Sequence, residues 1–173
     1  MLSKTELIVF RTIKYSDTSL IIKGLSPENG LQSYIVSGVR KPKSKLSQNY
    51  FQALSHLEIV AYVKPNRDLN RIKEVRPVQD TSSITFNPKK SAIAIFCSEI
   101  LSHVIKTEEE DPLYFNYMVT FIERLTKSGQ INLMPHHFMI NTIISMGFEP
   151  DFQSLEGKLK EAFSLFNKAD LSL

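Results

Sequence analysis

The sequence lacks tryptophan and has one cysteine and six glycines in 173 residues. The lone Cys97 cannot form a disulfide within the chain, which fits a reducing compartment such as the cytoplasm. Apolar runs are a few residues long, far from the ~20 that span a bilayer. The N-terminus, Met1 to Lys4, leads into a strand-like pattern that is not typical of a signal peptide. We therefore expect a cytoplasmic protein with no membrane partner.

Signatures of catalysis and of metal binding are also missing. The sequence has no phosphate loop, no HExxH, no GxSxG and no paired cysteines. His136 and His137 would point ~100° apart on a helix, so they cannot share a metal without outside ligands. Cys97 lies on an apolar helical stripe, which indicates a core residue. A small hydrolase would need a clustered nucleophile and base. We expect no enzyme, no cofactor and no metal.

Charge is present, and it is distributed unevenly. Residues 1–80 carry 13 Lys and Arg against 7 acids, whereas residues 81–173 carry 8 against 11. The sign of the charge changes where the hydrophobic period changes. This asymmetry predicts a basic module with an anionic partner, followed by a module with a different role.

Alternating apolar residues and turn signals in the basic half predict five strands. The alternation places Val9 and Arg11 on one side of the first strand, and Pro27 with Asn29-Gly30 predicts a turn after the second. Five short strands without a long helix between them predict a small barrel. A five-stranded OB barrel fits, and an SH3-like barrel fits nearly as well. The predicted strands are Thr5–Ile13, Ser19–Leu25, Leu31–Val39, Leu54–Val63 and Leu69–Val78.

From Pro88 onward the apolar residues recur at helical spacing. We predict a first helix with Phe96 and Cys97 on its buried stripe. A second begins at Pro112, capped by Asp111, and ends at Gly129. A third runs from Pro135 to Gly147, and a fourth covers 154–168. The predicted fold is therefore α+β: an OB barrel domain (1–80) followed by a helical bundle domain (81–173).

The segment Gly38–Leu46 is the most basic part of the chain. It holds Arg40, Lys41, Lys43 and Lys45, and no acid occurs between Gly38 and His56. Four cations cannot be buried without partners, so this loop faces either water alone or a polyanion.

Aromatic residues are interleaved with cations in the same half of the chain. Cations neutralise phosphates and aromatic faces stack on bases, the combination used to bind single strands. We expect most of these aromatics to be core, with one or two exposed enough to stack. The further candidate DNA-binding residues are Arg11, Lys23, Tyr34, Arg67, Arg71 and Lys73.

Four segments, in their order and spacing, resemble the RecO recombination-mediator family of bacterial DNA repair. They are Ile13–Ile21, Ser26–Ser33, Gly38–Leu46 and Phe51–Glu58. The helical part is similar in kind through Met146–Pro150. Residues 151–173 match poorly, so the C-terminal part is truncated or diverged.

The resemblance implies an OB barrel followed by a helical domain. It also implies binding to single- and double-stranded DNA, strand annealing, and partnership with RecR and with the C-terminal tail of SSB. The implied outcome is RecA loading on gapped DNA without ATP hydrolysis. Many members of the family carry a cysteine zinc site, which a chain with Cys97 alone would lack.

These expectations converge on a DNA-binding repair mediator that performs no catalysis. The alternative is a protein-interaction adaptor, in which the barrel contacts an acidic protein and the helical bundle docks a peptide.

Overall fold

The computed structural model describes residues 1–39, 46–63, 69–105 and 110–148. The helix predicted over 154–168 lies outside them. A short 3-10 helix, Gln48–Phe51, precedes the fourth strand. The strands are β1 (Leu2–Lys14), β2 (Leu20–Ser26), β3 (Gly30–Val36), β4 (His56–Tyr62) and β5 (Asn70–Pro77). The α-helices are α1 (Ser82–Phe86), α2 (Pro88–Val104), α3 (Pro112–Lys127) and α4 (Met134–Ser145).

The five strands close into a barrel in the order β1-β2-β3-β5-β4. Neighbouring strands are antiparallel except β3 and β5, which run parallel and pair through Tyr34 with Asn70 and Ile35 with Arg71. Each strand thus has a neighbour on both sides, as in a closed barrel. The predicted α+β fold, with a five-stranded OB-type barrel followed by helices, is confirmed.

The barrel core is formed by apolar residues at alternate strand positions, because successive side chains of a strand point to opposite faces. Removing these side chains from water is the main contribution to the stability of the barrel. The core includes Leu7, Val9, Leu20, Ile22, Tyr34, Val36, Leu57, Ile59, Ala61, Ile72 and Val75.

A β-bulge interrupts the alternation of β1. Val9 pairs with Gly24 and Arg11 pairs with Lys23, so Phe10 is the extra residue. Strict alternation predicted that Val9 and Arg11 share a side; this was wrong. The bulge leaves Val9 in the core while Arg11 is exposed. The strands lie very close here, since a Cβ atom on Gly24 would collide with the carbonyl oxygen of Ile8.

The first three helices belong to the same compact unit as the barrel. Met1–Pro135 form one unit and His136–Leu173 a second. Within the first unit, α2 packs against β1. Ile8 and Phe10 of β1 are buried although neither belongs to the barrel core. The division into domains at residue 80 stays a prediction.

The ends of the helices are fixed by specific hydrogen bonds. As predicted, Asp111 caps α3, and its Oδ1 accepts from the Tyr114 N–H at 2.9 Å. At the other end of α3, the Thr126 carbonyl oxygen accepts from Lys90 Nζ at 2.7 Å and from Ser83 Oγ at 2.9 Å. The free carbonyls at a helix C-terminus favour such a cation. These bonds join α1, α2 and α3.

Candidate nucleic-acid interface

The predicted site residues fall into two groups. Arg40, Lys41, Lys43, Lys45 and Arg67 lie outside the described residues. The other candidates lie on the strands of the barrel: Arg11 on β1, Lys23 on β2, Tyr34 on β3, and Arg71 and Lys73 on β5.

Arg11 and Lys23 form a pair of cations on the outer surface of the barrel. The bulge in β1 brings them directly opposite each other in the register of β1 and β2. Like charges in this arrangement repel each other. Among the described residues, no carboxylate forms an ion pair with either side chain. This cation pair is therefore a place where a bound anion would relieve repulsion.

A row of outward side chains crosses five strands beside the cation pair. We call this the outer row: Ile13, Ile21, Ile35, Arg71 and Tyr62. Each member is the register partner of the next.

Most of the outer row is apolar, and its members on β1 and β4 are exposed. Ile13 is 45% exposed and Tyr62 is 44% exposed, whereas the isoleucines of the row on β2 and β3 are half-buried. Arg11 and Ile13 are two residues apart on β1, and Ile21 and Lys23 are two residues apart on β2. The cation pair therefore lies on the same face of the barrel as the outer row, about 6–7 Å from it along the strands. The barrel thus presents a cationic strip next to an apolar one.

Three other cations on the barrel have acidic partners. Lys4 Nζ lies 2.7 Å from Glu58 Oε2, and Arg76 Nε lies 3.8 Å from Glu58 Oε1. The hydrogen bond from Lys4 is the main cause that lowers the pKa of Glu58. Lys73 Nζ lies 3.3 Å from Glu74 Oε1. The cation pair differs from these cations because its charge is not compensated by a neighbouring acid in the described part of the chain.

Tyr34 does not lie on the outer surface, which corrects its prediction as a base-stacking residue. Its side chain is 2% exposed and belongs to the barrel core. Burial, with a smaller contribution from the charge of Glu28, raises the pKa of Tyr34 to about 12. A base could reach this ring only by opening the barrel.

Tyr62 and Tyr15 are the exposed tyrosines of this half. Residue-by-residue alternation would have found Tyr62, because the pattern that places Ile59 and Ala61 inside places Tyr62 outside. Proximity of an aromatic to cations along the sequence was a weaker signal than its face on the strand.

In the described stretches of the chain, no three His, Cys, Asp or Glu side chains come together in a group that could hold a metal ion. None of the helices in those stretches has both the length and the apolar character needed to cross a membrane.

Similarity to known proteins covers most of the chain. A family model described as "Recombination protein O N terminal" matches residues 1–80, which contain all five strands. The DNA repair protein RecO of Flavobacterium johnsoniae is 32% identical over 171 residues, which are 95% of this chain and 71% of that protein. The chain belongs to the RecO family. RecO of Flavobacterium psychrophilum is 38% identical over 154 residues.

Coverage of RecO proteins is partial. The chain spans 65% of the length of the F. psychrophilum RecO and 64% of the RecO of Christiangramia forsetii. With RecO of Bacteroides fragilis the identity is 38% over 118 residues, about half of that protein. RecO proteins thus match most of this chain, while the chain spans about two thirds or less of the length of these three relatives.

Proposed function

We propose that this RecO-family chain is a DNA-repair mediator that binds single-stranded DNA on the outer surface of the five-stranded barrel and catalyses no reaction. The observation that supports it best is the uncompensated cation pair, Arg11 and Lys23, beside the exposed outer row. Family membership supports the role in DNA repair.

The two strips have complementary roles in this proposal. The phosphates of the strand lie against Arg11 and Lys23, while bases lie against the apolar outer row and stack on Tyr62. Arg71, within the outer row, contacts either a phosphate or the face of a base. None of these contacts depends on the identity of the base, so binding is neutral to sequence and strongly weakened by salt.

The cations outside the described residues extend the same surface in the proposal. Arg40, Lys41, Lys43 and Lys45 follow β3 along the chain, and Arg67 precedes β5. Both segments are therefore connected to strands that carry the outer row. They add positive charge for the same strand or for a second one.

Annealing follows from this surface without bond chemistry. Two DNA strands repel each other through their phosphates, and a cationic surface that binds both lowers this repulsion. In the full proposal the protein also binds double-stranded DNA and works in the cytoplasm with RecR and the SSB tail to load RecA. Membership of the RecO family supports these finer roles.

The test removes the cation pair and compares it with a matched control. Arg11→Ala with Lys23→Ala should weaken binding to a fluorescent oligo-dT by about tenfold at low salt and reduce the salt slope by about 1.4. Lys4→Ala with Arg76→Ala removes the same charge from residues paired with Glu58, and its affinity should stay within about twofold of the parent.

Fluorescence anisotropy at several salt concentrations measures both quantities. An equal loss in the two double variants would show that net charge, rather than this surface, controls binding. No binding of the parent to the oligonucleotide, together with tight binding to a protein partner, would favour the adaptor.

A further inference from the structure

The outer surface of the barrel depends on a change of phase within β1. Leu7 and Val9 both point into the barrel core. Strict alternation would direct the next odd-numbered residues, Arg11 and Ile13, into the core as well. The bulge at Phe10 adds one residue, so both of them are exposed instead. β1 therefore contributes to the cation pair and to the outer row only because of this bulge.

Phe10, the extra residue, is held by burial rather than by strand pairing. It has no register partner on β2, yet its side chain is 4% exposed. The ring is not part of the barrel core, and α2 packs against β1. Moving this large apolar ring into water would be unfavourable, so its burial keeps the bulge at this residue and not at a neighbouring one.

The backbone that receives the bulge has an unusual conformation. The Leu54 N–H donates to the Val9 carbonyl oxygen at 2.8 Å, and the Val9 N–H donates to the Ser55 carbonyl oxygen at 2.9 Å. Leu54 has a φ of 60°, in the left-handed region that residues with a side chain rarely adopt. Such a conformation persists only where the surrounding structure enforces it, and it is concentrated at functional sites. The bulge is therefore docked against a strained residue.

Two further contacts hold the strand on either side of the bulge. Beyond it, Thr12 Oγ1 donates to the Phe51 carbonyl oxygen at 2.8 Å. Before it, β2 approaches so closely that a Cβ atom on Gly24 would collide with the Ile8 carbonyl oxygen. The segment that carries Arg11 is thus held in one position relative to β2.

We propose that Phe10 is a positioning residue for DNA binding: its burial fixes the bulge, and the bulge holds Arg11 on the outer surface opposite Lys23. This role rests on the proposed function, since the cation pair is what Phe10 positions. A buried residue that does not touch DNA thus controls the affinity for DNA. Packing behind β1 reaches the DNA-binding surface through the phase of a single strand.

The relative position of the two cations can be measured without DNA. Residues directly opposite each other on antiparallel strands have Cβ atoms about 4.5–5.5 Å apart, close enough for a disulfide after a small shift. Arg11→Cys with Lys23→Cys should therefore crosslink under mild oxidation, and the fully buried Cys97 should not interfere. Adding Phe10→Ser should slow this crosslink at least about fivefold, because the extra residue is no longer held in one place.

Ile8→Ala is the matched control for both measurements. Ile8 is also fully buried on β1 outside the barrel core, but it precedes the bulge. Its replacement should lower stability and leave the crosslinking rate and the affinity for a fluorescent oligo-dT within about twofold of the parent. Phe10→Ser should weaken oligo-dT binding about fivefold at low salt, with no further effect in the Arg11→Ala, Lys23→Ala variant.

Deletion of Phe10 separates positioning from a general loss of stability. Without this residue, Val9 and Arg11 become consecutive and can pair with Gly24 and Lys23 in regular register, so Arg11 still points outward. The deletion should lower stability because a buried ring is lost, yet oligo-dT binding should stay within about twofold of the parent. A merely structural role of Phe10 would not produce this recovery.

Circular dichroism identifies the variants that fold, and Phe10→Ala replaces Phe10→Ser if the latter does not. Three results would overturn the positioning role: an unchanged crosslinking rate in Phe10→Ser, equal losses of DNA binding in Phe10→Ser and in the deletion, or a loss in Phe10→Ser that persists without the cation pair. A crosslink that responds as expected, together with full DNA binding by Arg11→Ala, Lys23→Ala, would instead overturn the proposed DNA-binding surface. The two failures are therefore distinguishable.

Discussion

At the scale of single residues, Cys97 illustrates how burial controls reactivity. The side chain is fully buried, and burial raises the pKa of its thiol to about 12. Because the thiolate is the reactive form, the folded protein should react with iodoacetamide at pH 8 at least about 100-fold more slowly than the chain in denaturant. While the fold holds, the thiol should stay mostly protonated as the pH rises, until the pH approaches about 12. Mass spectrometry of the alkylated protein measures both rates, and equal rates would contradict this burial.

The contrast between Tyr34 and Tyr62 shows what single-residue reasoning could predict. The sequence marks both as aromatics in a basic half. Their faces differ because Tyr34 is 2% exposed inside the barrel and Tyr62 is 44% exposed outside it. Spacing within a strand carries this information, whereas proximity to a cation in the sequence does not. Arg11 is exposed, as a DNA-binding residue must be, but the bulge at Phe10 decides its side, and the sequence did not show that bulge.

At the scale of secondary-structure elements, the close contact of β1 and β2 depends on a glycine. Gly24→Ala should lower the free energy of unfolding by about 1–3 kcal/mol, because the added Cβ meets the Ile8 carbonyl oxygen and the strands must move apart. Urea unfolding followed by circular dichroism measures the change. Gly129→Ala is the control, since no atom lies within 4 Å of its added Cβ, and it should change stability little. Similar losses in the two variants would argue against a steric origin.

The sequence predicted the helices and strands that are long enough to show a hydrophobic period or that begin with a strong capping signal. It did not predict the very short helices. Asp111 and Pro112 fixed the start of α3, and five alternating runs fixed the strands. The α1 helix has five residues and the 3-10 helix has four, too few to show a period. The predicted buried stripe of α2 was correct for Cys97, whereas Phe96 is 39% exposed. Periodicity identifies the apolar face of a helix without showing how much of that face other elements cover.

At the scale of the whole molecule, the barrel and the first three helices should fold as one unit. Ile8 and Phe10 are buried on β1, against which α2 packs, and the His56 ring meets the Phe115 ring of α3 edge-on at 5.9 Å. A chain ending at residue 80 would expose these side chains, at a cost of about 1.5–3 kcal/mol for each large one. We therefore expect residues 1–80 to melt at a clearly lower temperature than residues 1–135.

Thermal unfolding of the two fragments, followed by circular dichroism, measures this difference, and the complete chain serves as the reference. A fragment 1–80 that melts as cooperatively and at the same temperature as 1–135 would instead support the domain boundary predicted at residue 80. The sequence suggested that boundary because charge and period change there. It could not show that Ile8 and Phe10 are buried outside the barrel core, since packing between elements leaves no periodic signal of its own.

The closure of the barrel has a further consequence. β3 and β5 are held together by two residue pairs, whereas β1 and β2 are joined along most of β2. Under mechanical load or partial heating, the barrel would first open between the parallel strands β3 and β5. The barrel would then become an open sheet with β3 and β5 as its edge strands, and their unpaired backbone groups could pair with any extended chain nearby.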